Sequence, residues 1–150
     1  MSRLNYIIIF ILLSLISFSH SKDILPIIEG NKDAKIKLVI YESLTCSHCG
    51  EFHSKVYPEL KRKYIDQGLV SLEFRNFPLD LAALNAAKVA HCKNDGFSDI
   101  LHFLFINQKE WVKGKNILEV NNNLGKLLNT RDFNINFEEC VNNKIIEDFI

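Results

Sequence analysis

Two cysteines three residues apart, in the stretch SLTCSHCGEFHSKVYPEL (Ser43 to Leu60), are the residues whose type and spacing most directly carry chemistry. A C-x-x-C pair serves as a redox couple, as half of a zinc site, or as an inert disulfide. Cys46 falls at the expected first turn of a helix, where unpaired backbone N–H groups and the positive end of the macrodipole favour thiolate over thiol. Cys49, one turn on, shares an apolar stripe with Phe52, Val56, Leu60 and Tyr64 and is shielded by it. An attacking sulfur toward solvent is thereby paired with a resolving sulfur beneath it. His48, between them, adds partial positive charge, and such settings bring a cysteine pKa from about 8.5 into a range of roughly 3.5 to 7.5. A stabilised thiolate leaves readily, which makes the corresponding disulfide oxidising.

The competing chemistries have less support. For zinc, His53 stands four residues after Cys49, but no second close pair of Cys or His follows: Cys92 and Cys140 are isolated, and His91 and His102 are not spaced as a knuckle. Haem attachment needs histidine at position 50, which is Gly50. A purely structural disulfide across so short a ring gains less than a long loop does. Zinc binding is kept as the lesser alternative. Four cysteines permit three pairings, and the sequence alone does not choose among them.

The elements that must position this pair can be read from the periodicity. IKLVIYE (Ile36 to Glu42) reads as a strand covered on both faces, and a helix follows with Thr45 as N-cap, a kink near Lys55 to Pro58, and Gly68 as its end. LVSLEFRNF (Leu69 to Phe77) is a second strand, stopped by Pro78. Strand, helix, strand makes a βαβ unit with its strands parallel. Downstream the period is helical throughout: Leu81 to Lys93, Ser98 to Trp111, Ile117 to Asn129, and Phe137 to Ile150 with Asn136 and Glu139 spaced as a capping box.

Length and composition fit one globular domain, at 150 residues and 47% hydrophobic. With 18 basic and 18 acidic residues the formal charge is zero, which excludes a phosphate backbone as the main partner, and no nucleic acid is expected. Arg3, the uncharged apolar run Tyr6 to Phe18 and the small residues around Ser21 read as a signal peptide over 1–21, leaving an exported domain over 22–150. The uncharged span Leu4 to Ser21 falls short of the roughly 20 residues a stable crossing needs, so weak anchoring through an uncleaved leader is secondary. Export puts all four cysteines where disulfides persist.

From Gly30 onward the sequence resembles the bacterial DsbA-type thiol:disulfide oxidoreductases. The resemblance is carried by SLTCSHC after a strand, FHSKVYPELKRKYIDQG, a strand running into FRNFPLD, an alanine-rich helix ending in cysteine, and FLFINQKEW. It implies an α/β thioredoxin fold: a βαβ unit followed by an all-helical insertion over about 80–150. It further implies Cys46 as nucleophile, Cys49 as resolving cysteine and His48 as tuner, with no metal or organic cofactor. The implied work is to pass a disulfide to reduced exported proteins in the periplasm, with a membrane redox partner for reoxidation.

Three departures accompany the resemblance. Ser47 stands where the family often has proline. Ile40 stands where many members have a buried glutamate, and Glu42, two residues on and on the same strand face, is the candidate substitute as proton acceptor. The usual C-terminal β-hairpin, its cis-proline loop and the closing helix are not found before Ile150, and Pro26, Pro58 and Pro78 are not placed to supply that loop. The sequence therefore reads as an incomplete, truncated domain whose two-stranded sheet has an open apolar edge. A non-catalytic remnant or binding module of the same fold is the alternative function.

Within the implied insertion, a structural disulfide between Cys92 and Cys140 closes a loop of about 49 residues and contributes roughly 4 kcal/mol in the chain-entropy account, against two buried free thiols as the alternative. Phe97, Phe103, Phe105 and Trp111, at helical spacing, read as core rather than as a peptide groove. His91 and His102 read as surface or capping residues, and Lys61 to Lys63 as a solvated charged face beside Glu59.

Overall fold

The computed structural model describes residues 23–150, and the leader expected over 1–21 lies outside them. Strands β1 (Ile27–Gly30), β2 (Ile36–Glu42) and β3 (Val70–Asn76) form a mixed sheet in the order β1-β3-β2. β2 and β3 run parallel, with Ile36 opposite Val70 and Glu42 opposite Asn76, as a βαβ unit requires. β1 lies antiparallel along the other side of β3. No strand was expected there. It is four residues long and buries only Ile27, which leaves too little alternation to stand out. Gly30, at φ +84°, ends it with the Val70 carbonyl standing where a Cβ would project, so only glycine fits.

β2 differs from expectation. Its Ile36, Val39 and Tyr41 are exposed although the strand is apolar almost throughout, because it forms the edge of the sheet among the described residues.

One helical run, α1, spans residues 47–65 between β2 and β3, in the stretches Ser47–Glu51, Phe52–Val56, Tyr57–Leu60 and Lys61–Ile65. The second and fourth stretches are π-helical. Pro58 lies in the first turn of the third, and the turn before it is widened by one residue, which is how the run accommodates a residue with no N–H to donate. Where a kink was expected near Lys55 to Pro58, the run has the π turn that ends at Val56.

After β3 the chain is helical: α2 (Leu81–His91), α3 (Asp99–Ile106), α4 (Gln108–Trp111), α5 (Ile117–Leu128), α6 (Phe137–Val141) and α7 (Lys144–Phe149). Ala83, Ala86, Ala87 and Ala90 are buried on α2, and these small side chains let α3, α5, α6 and α7 all pack against it. Two expected long helices are each divided. Asn107 interrupts the first, its side chain turning back to donate to the Phe103 carbonyl at 2.8 Å. Asn143 divides the second and caps α7 by accepting from Ile146 N–H at 3.1 Å. Asn136 caps α6 as expected, accepting from Glu139 N–H.

One core joins the layers through Leu72, Phe74, Leu101, Leu104, Phe105 and Trp111. Phe97 is outside it and exposed. Lys63 and Arg62 pair with Glu59 on the solvated face of α1.

Candidate active site

The loop 43–46 delivers the chain from β2 to α1. Cys46, in an extended conformation, is the residue immediately before the helix, and its carbonyl accepts the first helical bond from Gly50 N–H at 3.1 Å. Thr45 is not the cap. Its hydroxyl donates instead to Asp80 Oδ2 at 2.8 Å, and Asp80 also caps α2 by accepting from Ala83 N–H at 2.7 Å. The loop is held from the other side by Gln108 at the start of α4. Its buried amide donates to the carbonyls of Leu44 and Cys46, each at 2.9 Å. Gly50 is buried beneath that amide, where a Cβ would come within 2.8 Å of Gln108 Oε1.

Cys46 and Cys49 are both free thiols, half-exposed. The main-chain amide of Cys49 and the Cys49 thiol, with a lesser contribution from the main-chain amide of His48, hold the Cys46 thiol below its ordinary range, against the opposing effect of burial. Cys49 is shifted the other way. Burial pushes it up to about 11, and its hydrogen bond to Cys46 and the negative charges of Cys46 and Glu42 add to the shift. One sulfur is thus set to be an anion and its neighbour to stay protonated. The imidazole of His48 is 91% exposed and faces Glu51 at 3.8 Å, so it is the His48 main chain that the structure brings to Cys46.

Behind the pair lies a buried polar cluster. Glu42, at the end of β2, is 3% exposed, and its Oε2 lies 2.8 Å from His53 Nε2. The His53 ring stacks on Phe105 at 3.9 Å between centroids, and its Nδ1 lies 2.8 Å from His102 Nδ1. His53 is therefore turned toward Glu42 and α3, and among the described residues no three His, Cys, Asp or Glu side chains are grouped to hold a metal ion. His91 and His102 are not surface residues. His91 is 4% exposed, its Nε2 accepts from Asn76 Nδ2 at 3.0 Å, and burial lowers its pKa to about 4. His102 is half-buried, stacked on Tyr57.

Cys92, just past α2, and Cys140, in α6, are joined by a disulfide with their Cα atoms 5.4 Å apart. Cys140 is fully buried. The two cysteine pairs are thus separate sites.

The family described as Thioredoxin matches residues 22–150. The chain belongs to that family. Within it, the likeness is to DsbA-type members. Alpha-DsbA1 of Wolbachia pipientis is 35% identical with a TM-score of 0.69, over 83% of this chain and 63% of that one. A Rickettsia bellii protein named "Putative protein-disulfide oxidoreductase" is 39% identical over 100 residues, which are 65% of this chain and 39% of its own. A Rickettsia conorii relative whose name begins the same way is 32% identical over 118 residues, 76% of this chain and 41% of that protein. The chain therefore spans about two-fifths of the length of these curated relatives. The thioredoxin fold accounts for the βαβ unit with Cys46 at the start of its helix, and the DsbA-type likeness for the helical segment after β3.

Three positions at this site were not singled out from sequence: Gln108, Asp80 and the contact between His53 and His102. Each acts across 35 residues or more. No local period or spacing reports such a contact.

Proposed function

We propose that this protein is a thiol-disulfide oxidoreductase acting on exported proteins through the pair Cys46 and Cys49. The observation that carries the reading is the opposed environment of the two sulfurs, one facing amide donors at a helix start and one partly buried a turn further on. In the oxidised form a substrate thiolate attacks Cys46, the bond between Cys46 and Cys49 breaks, and Cys49 leaves as a thiolate that takes a proton. A second substrate thiolate then attacks the substrate sulfur of the mixed disulfide. The substrate leaves as a disulfide and Cys46 as a stabilised thiolate. No metal or organic cofactor takes part.

His48 tunes Cys46 through its main-chain amide, and the disulfide between Cys92 and Cys140 is structural. The residues 1–21 act as a leader to the periplasm, where reduced exported proteins are the clients and a membrane redox partner restores the disulfide. The names borne by the relatives support the activity, and the apolar segment ahead of residue 22 supports the location. A binding module of the same fold is the second reading, favoured by the exposed Ile36, Val39 and Tyr41 of β2.

Alkylation and catalysis test the reading together. The reduced protein is expected to lose its Cys46 thiol to iodoacetamide at pH 6 much faster than a free thiol does, and to accelerate insulin reduction or oxidative refolding of a reduced client. Ordinary reactivity at Cys46 overturns the catalytic assignment. Fast alkylation without turnover leaves the binding module.

A further inference from the structure

The buried cluster behind the cysteine pair is continuous. From Glu42 Oε2 it runs 2.8 Å to His53 Nε2, from His53 Nδ1 2.8 Å to His102 Nδ1, and from His102 Nε2 2.7 Å to Glu29 Oε1. Glu29 closes the far end by also accepting from the hydroxyls of Tyr57 and Ser98. Its carboxyl is lowered to about 2: burial opposes ionisation, and the bonds from His102, Ser98 and Tyr57 outweigh it. The Glu42 and His53 side chains are 1% and 0% exposed, and those of Glu29 and His102 13% and 16%. The inner end is sealed and the outer end is not. A groove of about 360 Å³, lined by His53, Tyr57, Lys61, Arg62, Asp66 and His102, opens at that outer end.

Proton bookkeeping restricts what this chain can be. Only one proton fits between the two facing Nδ1 atoms, and Glu29, an anion with three donors around it, requires an N–H on His102 Nε2. Three arrangements satisfy every contact. In the first, Glu42 is a carboxylate accepting from His53 Nε2–H, His53 Nδ1 accepts from His102, and His102 is an imidazolium. In the second, Glu42 is a carboxylic acid donating to His53 Nε2, His53 donates through Nδ1, and His102 is neutral. In the third, His53 is an imidazolium donating to the Glu42 carboxylate and to His102 Nδ1, and His102 is neutral. All three hold the same number of protons and differ only in whether one rests on His102, His53 or Glu42, with no heavy atom displaced. Interacting groups of this kind titrate as a unit. Glu42 Oε1 is buried without a hydrogen-bond partner among the described residues, and the Glu42 charge acts on Cys49.

We infer that Glu42, His53, His102 and Glu29 form one proton-sharing unit that serves Cys49, with Glu42 as its inner end and His102 as its end toward solvent. The inference rests on the proposed function. When Cys49 leaves as a thiolate, the unit gives it the proton held at Glu42 and regains one from water. In the reverse step the Cys49 S–H bond breaks as its sulfur attacks Cys46 of the mixed disulfide, the bond from Cys46 to the substrate sulfur breaks with the substrate leaving as a thiolate, and the Glu42 carboxylate takes the proton. His53 and His102 are positioning residues: among the described residues neither hydrogen-bonds to a sulfur, and both act through Glu42. The groups facing them are Glu42 on β2, Glu29 on β1, Tyr57, Lys61, Arg62 and Asp66 on α1, and Ser98 ahead of α3.

Two measurements on the full chain test the unit. In His102→Gln, reduction of the oxidised protein by glutathione is expected to slow at least about 10-fold at pH 7, below the roughly 100-fold that positioned proton transfer commonly supplies, and, with rates expressed per glutathione thiolate, to lose the remaining pH dependence between about pH 5 and 8. Alkylation of Cys46 is retained. In the wild type, imidazole nitrogen NMR is expected to show His53 and His102 titrating as one event, displaced when dithiothreitol reduces the pair. A wild-type pH profile in the variant, or two histidines that titrate independently and ignore reduction, overturns the unit. If the wild type fails to turn over clients but the coupled titration is seen, the proposed function falls and the unit stands.

Discussion

The two cysteine pairs of this chain use the same atoms in opposite ways. Cys46 and Cys49 sit one helical turn apart, half-exposed, at the start of α1, where amide donors stabilise one anion and burial suppresses the other. Cys92 and Cys140 are 48 positions apart and tie the end of α2 to α6, with Cys140 fully buried and Cys92 half-exposed. The first pair has two unlike sulfurs, so a third sulfur has a preferred point of attack. In the second pair Cys140 is sealed from an approaching thiolate, and neither sulfur stands at a helix start. Reactivity here is a property of the helix end and of depth, and the cysteine itself is common to both.

That contrast is tested most strongly by removing each pair. Cys46→Ala is expected to reduce client oxidation to background while leaving the fold intact. Replacing Cys92 and Cys140 together by alanine is expected to leave exchange in place and to lower unfolding free energy by roughly 4 kcal/mol, as read from urea denaturation. Loss of exchange in a still-folded double variant would remove the division of labour.

The regions should also part company with pH. His91, beside Cys92, has a folded pKa of about 4 against 6.5 for the ordinary side chain, because burial disfavours its charged form. Its contribution to stability is complete above about pH 6.5 and declines as pH falls to about 4, by on the order of 3 kcal/mol. His91→Gln, which keeps an acceptor for Asn76 and cannot be protonated in this range, should flatten the urea midpoint across that window. Glu29, lowered to about 2, affects only the more acidic range from about 4.5 downward. The Cys46 thiolate, stabilised by its amide donors, should by contrast remain reactive through mildly acid pH.

A smaller effect is expected at Gln108, whose amide fastens the loop before Cys46 to α4. Gln108→Leu leaves two carbonyls without that donor and should cost about 2 kcal/mol in urea denaturation. It should also slow alkylation of Cys46 at pH 6, while the disulfide between Cys92 and Cys140 forms as before. Unchanged alkylation would show that the loop holds its geometry without α4.

What was legible in the sequence follows the range of the forces involved. β2, β3, α2 and the helix start at Cys46 were readable because periodicity, an apolar run and turn residues act within a few positions. The interruptions at Asn107 and Asn143 were missed because an apolar stripe continues across them, while a single asparagine side chain competes for the backbone. At the candidate site, Cys46 and Cys49 were nameable from spacing, and Glu42 from the family resemblance together with strand parity. His53 was weighed only as a zinc ligand, and His91 and His102 were read as surface, because their partners Glu42, Asn76 and Glu29 lie between 11 and 73 positions away. Burial of a histidine depends on such partners, and local composition is silent about them.

Asp80 belongs to both regions and offers the finest division between them. Its Oδ1 caps α2, the helix that leads to Cys92, and its Oδ2 accepts from Thr45, the neighbour of Cys46. Asp80→Ala removes both contacts and should lower stability by about 1 kcal/mol, the usual worth of a helix cap. Asp80→Asn keeps an oxygen for Ala83 N–H and turns an amide toward the Thr45 hydroxyl, which then becomes the acceptor. It should restore most of the stability by urea denaturation. If alkylation of Cys46 slows in the alanine variant and recovers in the asparagine variant, the loop is held through α2 as well as through Gln108. If stability changes and alkylation does not, the bond from Thr45 to Asp80 serves only the helical region, and the two cysteine pairs are energetically independent at this junction.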